Sequence, residues 1–376
     1  MRGPAAQPIV IAAGGTGGHF FPAEALAAEL IARGQRVVLM TDARSGAANS
    51  PVFAQRDLHV LKGAGIAGRG VVRAGKAVLS MAAGIAQARA ILAELNASAV
   101  VGFGGYPSVA PVLASRLLRR RPAVVLHEQN AVLGRANRFL CGRADSLALS
   151  FAATQRVPSG TRTVVTGNPV RPAITALAHA AYQAPGHASG EQTIRLLILG
   201  GSLGARVFSD IVPDALALLA KPLRARLSVV QQCRPEDLDR VRAAYAQAGI
   251  AADLAAFFPD VAERLLSAHL VIARAGASTV AELAVVGRPS ILVPLPGAID
   301  DHQSANARAL AEAGGAVVMP QSDLTPHALA DRLTTLLADP ATLTRAAVAA
   351  RGLASAAAAA QLADLVEARM HQEARS

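Results

Sequence analysis

Two short stretches hold residues whose types and spacing suit phosphate chemistry. Gly14-Gly15-Thr16-Gly17-Gly18-His19 follows the apolar run 8–13, and Gly200-Gly201-Ser202-Leu203-Gly204 follows the run 194–199, apolar but for Arg195. A glycine-rich turn from strand to helix lets backbone N–H groups approach an anion, and the helix N-terminus adds partial positive charge. Neither turn is a familiar nucleotide loop. The dinucleotide fingerprint requires glycine where Phe20 stands, and the Gly-Lys-Ser/Thr ending of a P-loop is absent from both. Taken alone, each also reads as a tight structural turn.

Other polar sets narrow the chemistry. Arg171, in Asn168-Pro169-Val170-Arg171, stands where the two halves of the chain meet, and a guanidinium there could neutralise a diphosphate. In 274–283 a small-residue turn opens a helix, with Ser278 and Thr279 as capping hydroxyls. Glu282 lies one turn in, where a carboxylate can accept from both hydroxyls of a ribose or simply complement the helix dipole. Segment 300–307 sets Gln303 and Asn306 on one helical face as readers of sugar hydroxyls; Asp300 and Asp301 read as capping residues. His127, Glu128, Gln129 and Asn130 follow a strand, where α/β folds gather ligand contacts. His19 is the first candidate for a general base, since imidazole titrates near pH ~6.5. Glu128 is the second. No convincing Asp-x-Asp motif is present, so neither a metal nor a cofactor is expected.

These residues need a frame, and the pattern of apolar runs supplies one. Short buried-strand runs (8–13, 36–41, 97–104, 122–128 and 146–150) alternate with amphipathic helices in the first half. Runs 194–200, 227–232, 270–275 and 289–295 do so in the second. Such alternation predicts doubly wound parallel α/β sheets. With 376 residues the chain has length for two domains, and 52% hydrophobic against 17% charged residues exclude a disordered protein. The expected boundaries are 1–172, a Pro-, Gly- and Ala-rich linker 173–192, a second domain 193–356, and a C-terminal helix 357–376 that packs back on the first domain. No run of eighteen purely apolar residues is present, and the first seven residues are too short and polar for a signal peptide, so neither an anchor nor export is expected. Cys141 and Cys233 read as buried free thiols.

Charge is divided unevenly. Residues 1–170 carry 19 Lys and Arg against 7 Asp and Glu, whereas the remainder carries 18 against 19. The positive excess in one half points to an anionic partner. Nucleic acid is the weaker option, because aromatic residues are only 3% and no helix-turn-helix or zinc pattern appears.

In order along the chain, "GGTGGHFFP", "GFGGYPS", "LHEQNAVLGRAN", "GNPVR", "GGSLGAR", "RAGASTVAEL" and "DDHQSANA" closely resemble the MurG family over nearly the whole chain. The resemblance implies a GT-B architecture of two Rossmann-like domains about a deep cleft. It implies inverting transfer of N-acetylglucosamine from UDP-N-acetylglucosamine to lipid I, the undecaprenyl-diphospho-muramoyl-pentapeptide, giving lipid II for peptidoglycan. It implies Thr16, Gly17, Gly18, Asn130, Arg171 and Ser202 on the donor side. Ala277, Ser278, Thr279, Val280, Ala281 and Glu282 would hold the nucleoside, Phe258 the uracil through its backbone, and Gln303 the sugar. Gly104, Gly105 and Tyr106 would serve the acceptor. Departures are Leu203, where relatives often carry glutamine, and Gln231-Gln232-Cys233-Arg234 in place of a more usual His-Gln-Ser/Thr-Gly.

The family also implies a peripheral enzyme on the cytoplasmic face of the inner membrane, alongside other cell-wall synthesis proteins and the machinery of cell shape and division. Segment 65–92 mixes Arg and Lys with Ile, Val, Leu and Met, which fits docking on anionic lipid, with an ordinary amphipathic helix as the weaker alternative. Two alternatives share the donor half: a GT-B enzyme with another lipid acceptor, and an inactive nucleotide-sugar-binding protein.

Overall fold

Runs rich in β-branched residues and leucine form the buried strands of two parallel sheets. The structure, a computed structural model, describes residues 7–14, 17–42, 50–54, 56–61, 71–186, 193–201 and 204–373, with the backbone only at 17, 71–77 and 373. The chain divides into two compact units, 1–171 with 355–376, and 172–354.

In the first unit the strands are β1 (Ile9–Ala12), β2 (Val37–Thr41), β3 (Leu58–Val60), β4 (Ala99–Gly102), β5 (Ala123–Glu128), β6 (Ser146–Leu149) and β7 (Thr163–Val165). Their spatial order is β3-β2-β1-β4-β5-β6-β7, and every neighbouring pair is parallel. Alternate residues of β1 face opposite sides of the sheet, as a period of two requires. Ile9 and Ile11 join a core with Leu26 and Leu30 of the helix Gly17–Ala32, and with Leu362 and Val366 of the C-terminal helix Ala358–Glu373. Val10 joins the opposite core with Ala88 and Leu92 of the helix Val71–Leu95. The C-terminal helix is held by charge as well. Arg33 donates to Asp364 at 2.6 Å and Glu367 at 2.8 Å, and Arg369 donates to the Ser146 hydroxyl at 2.8 Å.

The second unit repeats the plan with β8 (Ile194–Leu199), β9 (Leu227–Gln232), β10 (Ala251–Ala255), β11 (Leu270–Ala273), β12 (Ser290–Leu292) and β13 (Ala316–Val318). The order is β10-β9-β8-β11-β12-β13, again all parallel. The expectation of two doubly wound sheets holds. Within the stretch read as a linker, the short helix Pro172–Thr175 belongs to this unit, and Tyr182 packs on its core with its hydroxyl donating to His269 O at 2.8 Å.

Each sheet reverses its winding once, between β1 and β4 and between β8 and β11. Ligands of open α/β sheets bind outside the carboxyl ends of the strands at such reversals, where the loops diverge to opposite faces. The first glycine turn follows β1 and 103–106 follows β4; the second follows β8 and 274–277 follows β11. All four motifs therefore lie at the two switch points.

By length and composition alone, 78–95 and 340–372 are apolar enough to cross a membrane. The second is two helices, Pro340–Leu353 and Ala358–Glu373, broken at 354–357 and bound into different units.

Candidate functional site

At the first switch point small residues are required by space. A methyl on Gly14 would stand 2.9 Å from Pro107 Cγ and 3.0 Å from Thr41 Oγ1, so the chain leaves β1 without a side chain. Gly104 and Gly105 have φ of 79° and 64°, a left-handed region that favours glycine. They turn the backbone after β4 into the 3-10 helix Tyr106–Ser108. Ser108 donates to Ala12 O and Gly104 O, each at 2.9 Å, tying the β4 loop to the end of β1. Tyr106 is partly exposed, and burial of its hydroxyl raises the phenol's pKa.

His19 lies in the first turn of the helix that starts at Gly17. Its Nδ1 is 2.8 Å from Phe103 O and 3.1 Å from Gln129 Oε1. Gly105 passes beside the ring, since a methyl there would come within 3.6 Å of Cδ2 and 3.7 Å of Nε2. The β1, β4 and β5 loops thus converge on one imidazole.

Glu128 plays a different part from the one expected of a base. It is 2% exposed. One oxygen accepts from Asn130 N and Asn130 Nδ2, both at 3.0 Å; the other accepts from Gly134 N and Asn137 Nδ2, both at 2.9 Å. A carboxylate with four donors is arranged to hold a loop, and this one aims Asn130. Asn137 also donates to His127 O at 3.0 Å and packs on Gly104. Arg171 stacks its guanidinium over the Phe21 ring, 4.8 Å from the centroid.

At the second switch point the turn after β8 is tighter still. A methyl on Gly200 would stand 2.3 Å from Ala205 N and 2.7 Å from Gly204 C, and Gly201 and Gly204 have φ of 82° and 69°. Gly200→Ala is therefore expected to force this turn open and to destabilise the second unit by about 1–3 kcal/mol. Denaturant unfolding of the variant checks it; unchanged stability would mean that the turn has room for a side chain. Thr16, Ser202 and Leu203 lie outside the described residues.

Gln232 connects two of the surrounding loops. Its oxygen accepts from Gly200 N at 3.1 Å and its nitrogen donates to Ala256 O at 3.1 Å. Gln231 is fully buried against Tyr245, whose hydroxyl donates to it, and Cys233 is buried with its thiol pKa raised by desolvation. The unusual Gln-Gln-Cys-Arg stretch thus builds the turn's support. Phe258 is buried beneath Arg264, 4.1 Å from guanidinium to ring centroid.

The helix Ala277–Val286 begins at Gly276, whose φ/ψ of −63°/146° are extended. Ser278 and Thr279 therefore fall inside the first turn and do not cap it, contrary to the sequence expectation: the helix starts two residues earlier, and no side chain caps Gly276. Ala277, Val280 and Ala281 share that opening segment, and Glu282 lies nearly buried on it. Asn306 also departs from expectation. It is fully buried and donates to Ala275 O at 3.1 Å, so it fastens the helix His302–Glu312 to the 274–277 turn instead of reading a sugar. Gln303 accepts from Leu295 N at 2.9 Å through its side-chain oxygen. Asp300 and Asp301 have φ of 55° and 54°, and Asp301 accepts from the Ser304 hydroxyl at 2.7 Å. Among the described residues no three His, Cys, Asp or Glu side chains gather as a metal-ligand set.

Sequence reasoning assigned no positioning role to Gln129, Asn137, Gln232 or Asn306. Each is a buried amide bonded across the fold, and a local pattern carries no signal for that.

Burial also sets a pH dependence. Desolvation holds His127 down to about 4, and His269 down to about 4 with Arg195 and Arg288 adding repulsion. An unfolded histidine titrates near ~6.5, so between the two values the unfolded chain binds more protons. The histidine contribution is flat above this window, and stability falls as pH drops through it. Unfolding at pH ~5 should take up protons through these groups, read by calorimetry in buffers of different ionisation enthalpy; absence of uptake would contradict their burial as neutral rings.

Comparison with known proteins places this geometry. Residues 9–149 match the glycosyltransferase family 28 N-terminal domain, and residues 195–366 match the family's C-terminal domain. The chain is 63% identical over 366 residues to a protein of Granulibacter bethesdensis, covering 97% of this chain and 94% of that one. That relative is named UDP-N-acetylglucosamine–N-acetylmuramyl-(pentapeptide) pyrophosphoryl-undecaprenol N-acetylglucosamine transferase. A protein of the same name from Acidiphilium cryptum is 56% identical, over 97% of this chain and 98% of its own. Among solved structures, MurG of Acinetobacter baumannii matches with a TM-score of 0.77 at 32% identity, covering 96% and 99% of the two chains.

Proposed function

Since the chain belongs to glycosyltransferase family 28, and within it to the lipid-linked N-acetylglucosamine transferases, we propose that it converts lipid I to lipid II. N-Acetylglucosamine passes from UDP-N-acetylglucosamine to the muramoyl 4-hydroxyl, and the fold that carries this is GT-B. The single observation with most weight is 63% identity over 97% of the chain to a relative of that name, with the matched motifs sitting at both switch points.

Inversion requires one displacement at the anomeric carbon. The 4-hydroxyl oxygen forms the new β-1,4 bond as the bond from the anomeric carbon to the phosphate oxygen breaks, and UDP departs with that electron pair. The hydroxyl proton goes to His19 Nε2, the ring atom not engaged by Phe103 O and Gln129. Charge growing on UDP is met by backbone N–H groups of the second glycine turn and of the helix opening at Ala277, and by Arg171. Glu282 takes the ribose hydroxyls, Gln303 the sugar, and the Phe258 backbone the uracil. Gly104, Gly105 and Tyr106 line the acceptor side, and Asn130, aimed by Glu128, contributes beside His19.

The test is UDP release from UDP-N-acetylglucosamine, with and without a short-chain lipid I analogue, each with and without EDTA. Release that needs the acceptor and survives EDTA is expected. Failure of acceptor-dependent release, from protein that binds the donor, would leave only a nucleotide-sugar-binding protein.

The reading extends to a peripheral enzyme at the cytoplasmic face of the membrane, alongside other cell-wall synthesis proteins, and the lipid of the proposed acceptor supports its membrane part. The helix Val71–Leu95 supports this: Ala88 and Leu92 anchor its C-terminal half in the core, while Val78 and Leu79 are 68% and 72% exposed. The basic residues Lys62 and Arg69 lie outside the described residues, as do the side chains of Arg73 and Lys76. Val78→Ser with Leu79→Ser should weaken binding to anionic vesicles in cosedimentation by roughly five- to thirtyfold, given roughly 1–2 kcal/mol of apolar burial. Undiminished cosedimentation would move the docking surface elsewhere.

A further inference from the structure

The hydrogen bonds around His19 admit one assignment of donors and acceptors. A backbone carbonyl only accepts, so Nε2 of His127, 3.1 Å from Gly167 O, carries that ring's proton. Burial keeps the ring neutral down to about pH 4, which leaves Nδ1 as a lone pair. The side-chain nitrogen of Gln129 donates to that Nδ1 at 3.3 Å and to Phe103 O at 2.8 Å. With its nitrogen so engaged, Gln129 turns its oxygen to His19 Nδ1, at 3.1 Å. Phe103 O accepts from the same Nδ1 at 2.8 Å. Nδ1 of His19 therefore carries a proton, and Nε2 is the ring nitrogen beside Gly105.

From this geometry we infer that Gln129, backed by His127, is a positioning residue that holds His19 in its Nδ1–H form and leaves Nε2 as the proton acceptor. The inference rests on His19 being the base in the proposed function. An amide suits the task better than a carboxylate. A carboxylate at this place would favour the imidazolium and remove the free base, whereas an amide oxygen orients the ring without that charge. The orientation is relayed from the far side of the sheet's switch point: Gly167 O sets His127, His127 sets the Gln129 amide, and the amide sets His19.

Long-range proton–nitrogen correlation on the histidine-labelled full chain reads the tautomer directly, with the His19 signal identified by its loss in His19→Gln. The wild type should show Nδ1–H alone. Gln129→Leu, and Gln129→Met as a second apolar variant, should show mixed tautomers and a roughly ten- to hundredfold lower kcat, with KM for both substrates within about threefold. Gln129→Glu keeps an oxygen toward the ring and should keep Nδ1 protonated while favouring the imidazolium, so the mixture of tautomers disappears and the low kcat remains. A wild-type His19 protonated at Nε2, or an unchanged tautomer in both apolar variants whatever their rates, overturns the inference. The base assignment fails separately: if His19→Ala keeps its kcat while Gln129→Leu still mixes the tautomers, the ring is positioned as argued and the base lies elsewhere.

Discussion

His19→Ala is expected to lower kcat by roughly 10²–10⁴-fold, the range that general acid–base groups contribute, with little change in KM for UDP-N-acetylglucosamine. The split between the two constants is the content of the prediction. In the proposed mechanism His19 takes the proton as the 4-hydroxyl attacks, so its loss would remove stabilisation made in the transition state and not in the bound ground state. Its setting supports this division. Nδ1 is bonded to Phe103 O at 2.8 Å, and Nε2 faces the opened backbone at Gly105. A positioning role alone would instead raise KM. Steady-state kinetics against both substrates decides it, and a variant with normal kcat and a raised acceptor KM would remove His19 from proton transfer.

Glu282→Ala should give the opposite signature: KM for the donor raised by roughly 10²-fold with kcat altered far less. Two hydrogen bonds from ribose hydroxyls to a carboxylate, each contributing about 1.5 kcal/mol or more, give that factor. The ribose is remote from the anomeric carbon, so the lost energy is binding common to ground and transition states. Glu282 is 7% exposed and lies within a helix closed by Gly287 at φ 66°, so the carboxylate sits on a rigid element. Glu282→Gln keeps one acceptor and should fall between. A donor lacking the ribose 2′-hydroxyl provides the control: it should lose affinity for the wild type and lose little more for Glu282→Ala. Equal losses on both proteins would separate Glu282 from the ribose.

The sequence by itself determined the plan of the molecule. Strand runs such as 9–12 and 270–273 are apolar throughout, as strands buried on both faces must be, and the helices between the strands follow from their period. Glycine turns placed after such strands were legible for the same local reason, and seven motifs in register carried the family. Four strands were not legible: β3, β7, β10 and β13 have three to five residues each and lie toward or at the sheet edges. Their burial is partial, so they carry neither a continuous apolar run nor enough alternations to stand out.

Only the tertiary structure decided what each polar side chain does. Glu128 and Asn306 carry the residue types of a base and a sugar reader. Yet the first is saturated by four donors from 130–137, and the second is spent on Ala275. Ser278 and Thr279 have the chemistry of caps and the wrong register for it, because Gly276 starts the helix. Gln129 is one amide among several in the sequence. Its oxygen meets His19, 110 residues away, because parallel crossovers bring the ends of β1, β4 and β5 side by side. Secondary structure follows from neighbours within a few residues, whereas a hydrogen-bond partner is chosen by whichever groups the fold delivers to within about 3 Å.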